Sequence, residues 1–214
     1  MTCNLWVPQT INAFVISTEV SKSLLETEKQ LRSLQFNVSR ILRKRDLQNG
    51  SRGCLESHKY VASVLLEKHL QIAFVAEFDC DLVHWDVQLW NSLSQIASLD
   101  PEWDLISLGS TFKNGIEVLP GIFKTQHLSE THAYLLSAKG ASKISKFEYT
   151  TRAYDQEITF QKLNSYVVRP SFFFQRHWQP STAVNSPFDL HYFLNTIGLS
   201  NVSKQLRTLF EYRR

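Results

Sequence analysis

Ile72-Ala73-Phe74-Val75-Ala76-Glu77-Phe78-Asp79-Cys80-Asp81 is the stretch on which the fold turns. Five apolar residues run without alternation, and three carboxylates follow within five positions. An unbroken apolar run of this length suits a parallel strand covered on both faces. In open parallel sheets ligands bind at the carboxyl ends of the strands, where the loops converge. Carboxylates there can hold Mg²⁺ or Mn²⁺, hard ions that take oxygen ligands and leave positions open for phosphate oxygens. Taken alone, Asp79-Cys80-Asp81 is equally an ordinary acidic surface loop.

Working upstream, Asn12-Ala13-Phe14-Val15-Ile16 is a second such run. Ser17 and Thr18 lead into a helical stretch with Val20, Leu24, Leu31 and Leu34 on one face, and residues 36–41 read as the next strand. Strand, helix, strand predicts a parallel unit with a crossover. A polar loop over 43–53 follows, and from Cys54 the positions Leu55, His58, Ala62, Leu65, Leu66 and His69 recur at helical spacing. Downstream the pattern predicts helices over 86–97, 138–147 and 154–162. Strands or extended segments are expected over 103–108, 116–124, 131–137, 166–169 and 172–174. Pro180 and Asn185-Ser186-Pro187 mark a loop, and 190–197 and 202–210 read as terminal amphipathic helices. The expectation is one α/β domain over 1–214, with a core over about 12–185 and a helical tail over 186–214.

Composition narrows the function. Hydrophobic residues make up 43% of the 214, with five Trp and fourteen Phe, which excludes a disordered chain. The net charge of +3 is too small and too dispersed for a nucleic-acid binder. One basic cluster stands out, Arg40, Arg43, Lys44, Arg45 and Arg52; it is either a solvated loop or a contact for an anionic partner such as a diphosphate. Three scattered cysteines, Cys3, Cys54 and Cys80, suit a reducing compartment and are too few for a disulfide framework or a zinc site. With neither a signal peptide nor an apolar run long enough to cross a bilayer, the expected location is cytoplasmic, free or peripheral at a membrane. No Gly-rich phosphate loop, His-Glu-x-x-His or Gly-x-Ser-x-Gly occurs.

Four segments, in order, resemble glycosyltransferase family 25, the lipopolysaccharide-galactosyl and collagen-galactosyl transferases. Gly53-Cys54-Leu55-Glu56-Ser57-His58 resembles the family's Gly-Cys-x-x-Ser-His, and Ala76-Glu77-Phe78-Asp79 its Leu-Glu-Asp-Asp strand end. Trp103-Asp104-Leu105-Ile106-Ser107-Leu108-Gly109 and Thr131-His132-Ala133-Tyr134 are similar to its Trp-Asp strand and its Thr-His-Ala-Tyr segment. The likeness spans about residues 12–185. It implies a GT-A-like, mostly parallel α/β fold and inverting transfer of a hexose, galactose or glucose, from a UDP-sugar. The acceptor would be the hydroxyl of a glycan, a lipid-linked sugar or a hydroxylated protein.

The site residues it implies are Glu77, Asp79 and Asp81 for Mn²⁺ or Mg²⁺, and Ser17, Thr18, Ser57 and His58 for the donor. His132, Tyr134 and Gly109 would face the acceptor, with Asp155 as general base. Each has a structural counterpart: Asp155 as a helix cap, His58 as a hydrogen-bonded core residue, His132 and Tyr134 as framework. The Phe172-Phe173-Phe174 run near Trp178 suits either core packing or stacking on a sugar. Phe78 stands where the family has a carboxylate, which Asp81 replaces if the chain stays extended. Ser17 stands for an Asn, and Val20 and Leu24 replace Arg residues. The alternative is a degenerate relative that binds without turnover.

Overall fold

The computed structural model describes residues 6–112 and 114–176. Its elements are β1 (Asn12–Ser17), α1 (Lys22–Ser33), β2 (Asn37–Leu42), α2 (Gly50–Glu67), β3 (Ile72–Glu77), β4 (Cys80–Leu82), α3 (Val87–Leu99), β5 (Leu105–Ser107) and β6 (Thr111–Phe112). They continue with β7 (Ile116–Leu119), β8 (Ile122–Thr125), β9 (Leu128–Ser129), β10 (Ala133–Ser137), α4 (Ala138–Ile144), α5 (Tyr154–Phe160), β11 (Ser165–Val168) and β12 (Phe173–Gln175). Trp178 and the expected tail over 186–214 lie outside the described residues.

The main sheet has eight strands in the order β2-β1-β3-β10-β5-β11-β8-β7. β1 runs parallel to β2 and β3, and β5 to β11. β10 is antiparallel to β3 and β5, and β8 to β11 and β7. Six strands (β1, β2, β3, β5, β7, β11) therefore point one way and two (β8, β10) the other. The mostly parallel α/β sheet expected from the apolar runs is present.

Adjacent residues on each central strand serve opposite faces, as the pleat requires. Val15, Phe74 and Leu135 join a core with Leu24, Leu31, Trp90 and Leu93 from α1 and α3. Phe14, Val75 and Tyr134 join another with Leu55, Leu65, Ile144 and Ile158 from α2, α4 and α5. The sheet is thus covered on both sides, which is why its strands read as continuous apolar runs.

Helix starts follow their caps. Ser21, Asn49 and Asp86 accept hydrogen bonds from the first-turn N–H groups of α1, α2 and α3. α2 begins at Gly50, four residues before Cys54, because Asn49 caps it; two glycines in that first turn hide the helix from its composition. Val20 precedes α1 and is exposed. The single strand expected over 116–124 is a hairpin, β7 and β8, turning at Gly121 with φ +72°. β4, absent from the sequence pattern, pairs with β12.

Candidate active site

Ser17, Glu77 and the loop after β2 bring three neighbouring parallel strands to their carboxyl ends on one edge of the molecule. A cleft of about 360 Å³ opens there, a size that suits a small ligand. Its lining includes Ser17, Thr18, Ser57, His58, Glu77 and Asp79, so six of the eight residues expected to serve the metal, donor or catalytic roles share one site. The other two, Asp81 and Asp155, do not line it.

The acidic corner is poorly satisfied. Asp79 accepts a hydrogen bond from Gln175 Nε2 at 3.0 Å, yet its Oδ1 is buried with no partner. Burial, and then the charge of Glu77, push the Asp79 carboxyl up to about 7. Two carboxylates lining one cleft, one with an orphaned oxygen, form a donor pair that a divalent cation would satisfy. Asp81 is placed differently. It lies on β4 and is buried, and Gln30 Nε2 (2.6 Å) and Arg176 Nη2 (3.1 Å) donate to its Oδ1. The chain turns between β3 and β4, so the extended geometry that would aim Asp79 and Asp81 the same way does not hold.

Behind the cleft a polar network runs inward. His58 Nε2 lies 3.3 Å from Glu77 Oε1, and His58 Nδ1 lies 2.8 Å from Tyr134 Oη. Tyr134 Oη is in turn 2.9 Å from Tyr154 Oη. The imidazole stacks on the Tyr154 ring with centroids 3.9 Å apart and planes 7° apart. His58 is thus both a hydrogen-bonded interior residue and a wall of the cleft. Cys54, one helical turn earlier on α2, also lines the cleft. Burial first, then the charges of Glu77, Asp155 and Asp79, hold its thiol well above the usual range.

The cleft lining is also basic. Of the cluster noted in the sequence, Arg40 is paired with Glu28 and Arg52 with Asp46, while Arg43 lies over Tyr60. Lys44 and Arg45 line the cleft, are exposed, and have no carboxylate partner among the described residues. Gly50 and Ser51 bring the first turn of α2 to the same cleft, adding the partial positive charge of a helix start.

The residues expected to face the acceptor are elsewhere. His132, Tyr134 and Gly109 are buried and none lines the cleft. His132 Nε2 lies 3.2 Å from the Phe173 carbonyl, whereas Tyr134 meets His58, so the two rings do not share one face. Gly109 is wedged against His132 and the Phe173 carbonyl, where a side chain has no room. Phe172, Phe173 and Phe174 are buried, as the core-packing alternative has it.

Asp155 sits in the first turn of α5, whose cap is Ala153. Its Oδ1 accepts from Gln156 N at 2.8 Å and its Oδ2 from Glu130 N at 3.2 Å. Its neighbours Ala153 and Tyr154 line the cleft. Sequence reasoning missed Cys54 as a residue of the cleft, and also Arg176, whose backbone N donates to the Asp79 carbonyl at 2.6 Å. Cys54 was visible in the family-like segment. Arg176 carried no signal, since its partners lie 95 or more residues away.

No family model matches the chain, and no curated protein matches it. Among solved structures it is similar to a glycosyltransferase involved in the glycosylation of the major capsid of PBCV-1, with 8% identity, 77% of this chain and 92% of that chain covered, and a TM-score of 0.50. It also matches A197 from STIV (12% identity, 76% and 82% covered, TM-score 0.46) and UDP-glucose pyrophosphorylase complexed with UDP-glucose (10% identity, 78% and 75% covered, TM-score 0.43). At such identities the likeness concerns fold and does not single out family 25. The chain has the GT-A-like α/β fold of a solved glycosyltransferase.

Proposed function

We propose that this chain is a cytoplasmic glycosyltransferase that moves a hexose, galactose or glucose, from a UDP-sugar to an acceptor hydroxyl with inversion, aided by Mn²⁺ or Mg²⁺. One observation carries the reading: a cleft at the carboxyl ends of three parallel strands gathers Glu77 and Asp79 with Lys44, Arg45 and the start of α2. A diphosphate needs both halves, cations around its oxygens and carboxylates to hold a bridging metal. The orphaned Asp79 Oδ1 supports that fit. A divalent ion bound there would supply positive charge to offset the departing diphosphate.

The protein's own part is positioning and proton removal. Lys44 and Arg45 hold the phosphates, and Ser17, Thr18 and Ser57 line the donor side. The acceptor oxygen attacks the anomeric carbon from the face opposite the phosphate, the carbon–oxygen bond to the diphosphate breaks, and UDP leaves. The acceptor's proton passes to Asp155, whose neighbours Ala153 and Tyr154 line the cleft. The acceptor class, a glycan, a lipid-linked sugar or a hydroxylated protein, follows from the resemblance noted in the sequence. Calorimetry of UDP binding with and without Mn²⁺ tests the donor site. Tighter binding with the metal is expected, and equal affinity in both conditions removes the metal role.

A second reading is favoured by Phe78 and by Asp81, which is engaged by Gln30 and Arg176. With only two carboxylates at the cleft, the chain could bind nucleotide-sugars without turnover. UDP binding with no donor hydrolysis across several UDP-sugars selects it.

A further inference from the structure

The cleft floor carries a donor set that Mg²⁺ chemistry does not explain. Cys54 Sγ, a His58 ring nitrogen and a Glu77 carboxylate oxygen lie within 4.8 Å of one another, and His58 Nε2 is the nitrogen that faces Glu77, at 3.3 Å. Thiolate and imidazole suit zinc and its neighbours among the transition metals, whereas hard ions favour oxygen alone. We propose that Cys54, His58 and Glu77 form a transition-metal site, of the kind that takes Zn²⁺ or Co²⁺, with its fourth position open to the cleft.

Three features support it. First, the His58–Glu77 separation of 3.3 Å is long for a charge-assisted hydrogen bond. Two ligands each about 2.0–2.1 Å from one tetrahedral ion stand about 3.3–3.4 Å apart, so these atoms already have the spacing of a shared ion. Cys54, within 4.8 Å of both, needs an adjustment of at most about 1 Å to reach the roughly 3.6 Å expected between sulfur and nitrogen ligands. Second, the scaffold holds the ligands firmly: Cys54 and His58 are one turn apart on α2, and Glu77 closes β3. Third, His58 has an outer shell of the kind that orients metal-bound imidazoles. With the metal on Nε2, Nδ1–H donates to Tyr134 Oη at 2.8 Å, and the imidazole is clamped against Tyr154. Binding releases the Cys54 thiol proton to solvent, leaving a thiolate on the ion. Counting cysteines missed this site because two of its ligands are not cysteine.

The site shares Glu77 with the hard-ion pair proposed above, but it does not depend on the transferase reading. The test is Co²⁺ titration of the metal-free full chain, read by absorption. One equivalent should give tetrahedral visible bands and a thiolate-to-cobalt charge-transfer band. Cys54→Ser should lose the charge-transfer band, and Zn²⁺ should displace Co²⁺ from the wild type. Glu77→Gln should weaken Co²⁺ at least tenfold, with circular dichroism confirming the fold. If Cys54→Ser does not fold, Cys54→Ala replaces it. A wild type without the charge-transfer band, or a folded Cys54 variant that keeps it, overturns the site. UDP binding in Mg²⁺ is measured in parallel. UDP binding without the cobalt band sinks this inference alone, and the cobalt band without UDP binding sinks the donor reading alone.

Discussion

Two acidic corners lie at opposite ends of the strands and are treated oppositely. At the amino end of β5, Asp100 accepts from Lys124 Nζ, Tyr166 Oη and Asn164 Nδ2 at 2.8, 2.6 and 2.8 Å. Burial works against its charge, but those hydrogen bonds outweigh burial and hold the carboxyl below its usual range. At the carboxyl end of β3, Asp79 has one donor, one orphaned oxygen and a like charge beside it, and its carboxyl is pushed up. A carboxylate that only braces a fold is surrounded by donors. One left short of donors beside a cleft is kept for something that arrives later.

The largest expected effect tests the proposed base beside the Asp79 corner's cleft. Asp155→Asn should lower transfer by about 10²- to 10⁴-fold while leaving UDP affinity and melting temperature nearly unchanged, because a base acts only in the transition state. Normal turnover removes Asp155 from the base role. Glu157 is not a substitute, being buried with Thr150, Gln161 and Arg152.

Asp79→Asn should cost about tenfold in metal-dependent UDP affinity, roughly the 1.4 kcal/mol of one charge-assisted contact. Its effect on stability has the opposite sign. Because the folded pKa of Asp79 is raised to about 7, its contribution is fully present below about pH 4 and is lost as pH rises towards 7. The Asn variant should therefore lose less stability between pH 4 and 7 than the wild type. Melting temperature across that window checks it, and parallel curves for the two proteins refute the contrast.

Asp100 has the reverse slope. Its stabilisation is present above about pH 4 and lost as pH falls through its lowered pKa. Asp100→Ala should cost about 1–3 kcal/mol by stranding its donors, with no change in UDP binding. Denaturant unfolding at pH 7 measures it.

Gly109→Ala should cost a similar or smaller amount, about 1–3 kcal/mol, because its new methyl meets His132 and the Phe173 carbonyl. A variant that melts normally but transfers poorly would restore Gly109 to the acceptor side.

Much of the fold was legible in local pattern. Residues 12–16 and 72–76 read as buried parallel strands because both faces of each are covered, so no polar residue interrupts them. Asp86 marked the start of α3 because a helix start needs an acceptor for its free N–H groups. The antiparallel insertion of β10 between β3 and β5 was not legible, since an apolar run has no direction.

The candidate site divides the same way. Its acidic strand end was determined by the sequence alone, because carboxylates directly after a buried strand must emerge where that strand ends. Tertiary structure decided which carboxylates face the cleft. Asp81 turns away because Arg176, 95 residues on, and Gln30 claim it. Tyr134, 76 residues from His58, was expected beside an acceptor and instead orients that imidazole from the core. Only folding brings Cys54 and His58 of α2 against Glu77 of β3. Hydrogen-bonding demand is local at a helix cap and can be read there, but a buried side chain takes whatever partner the sheet order sets beside it.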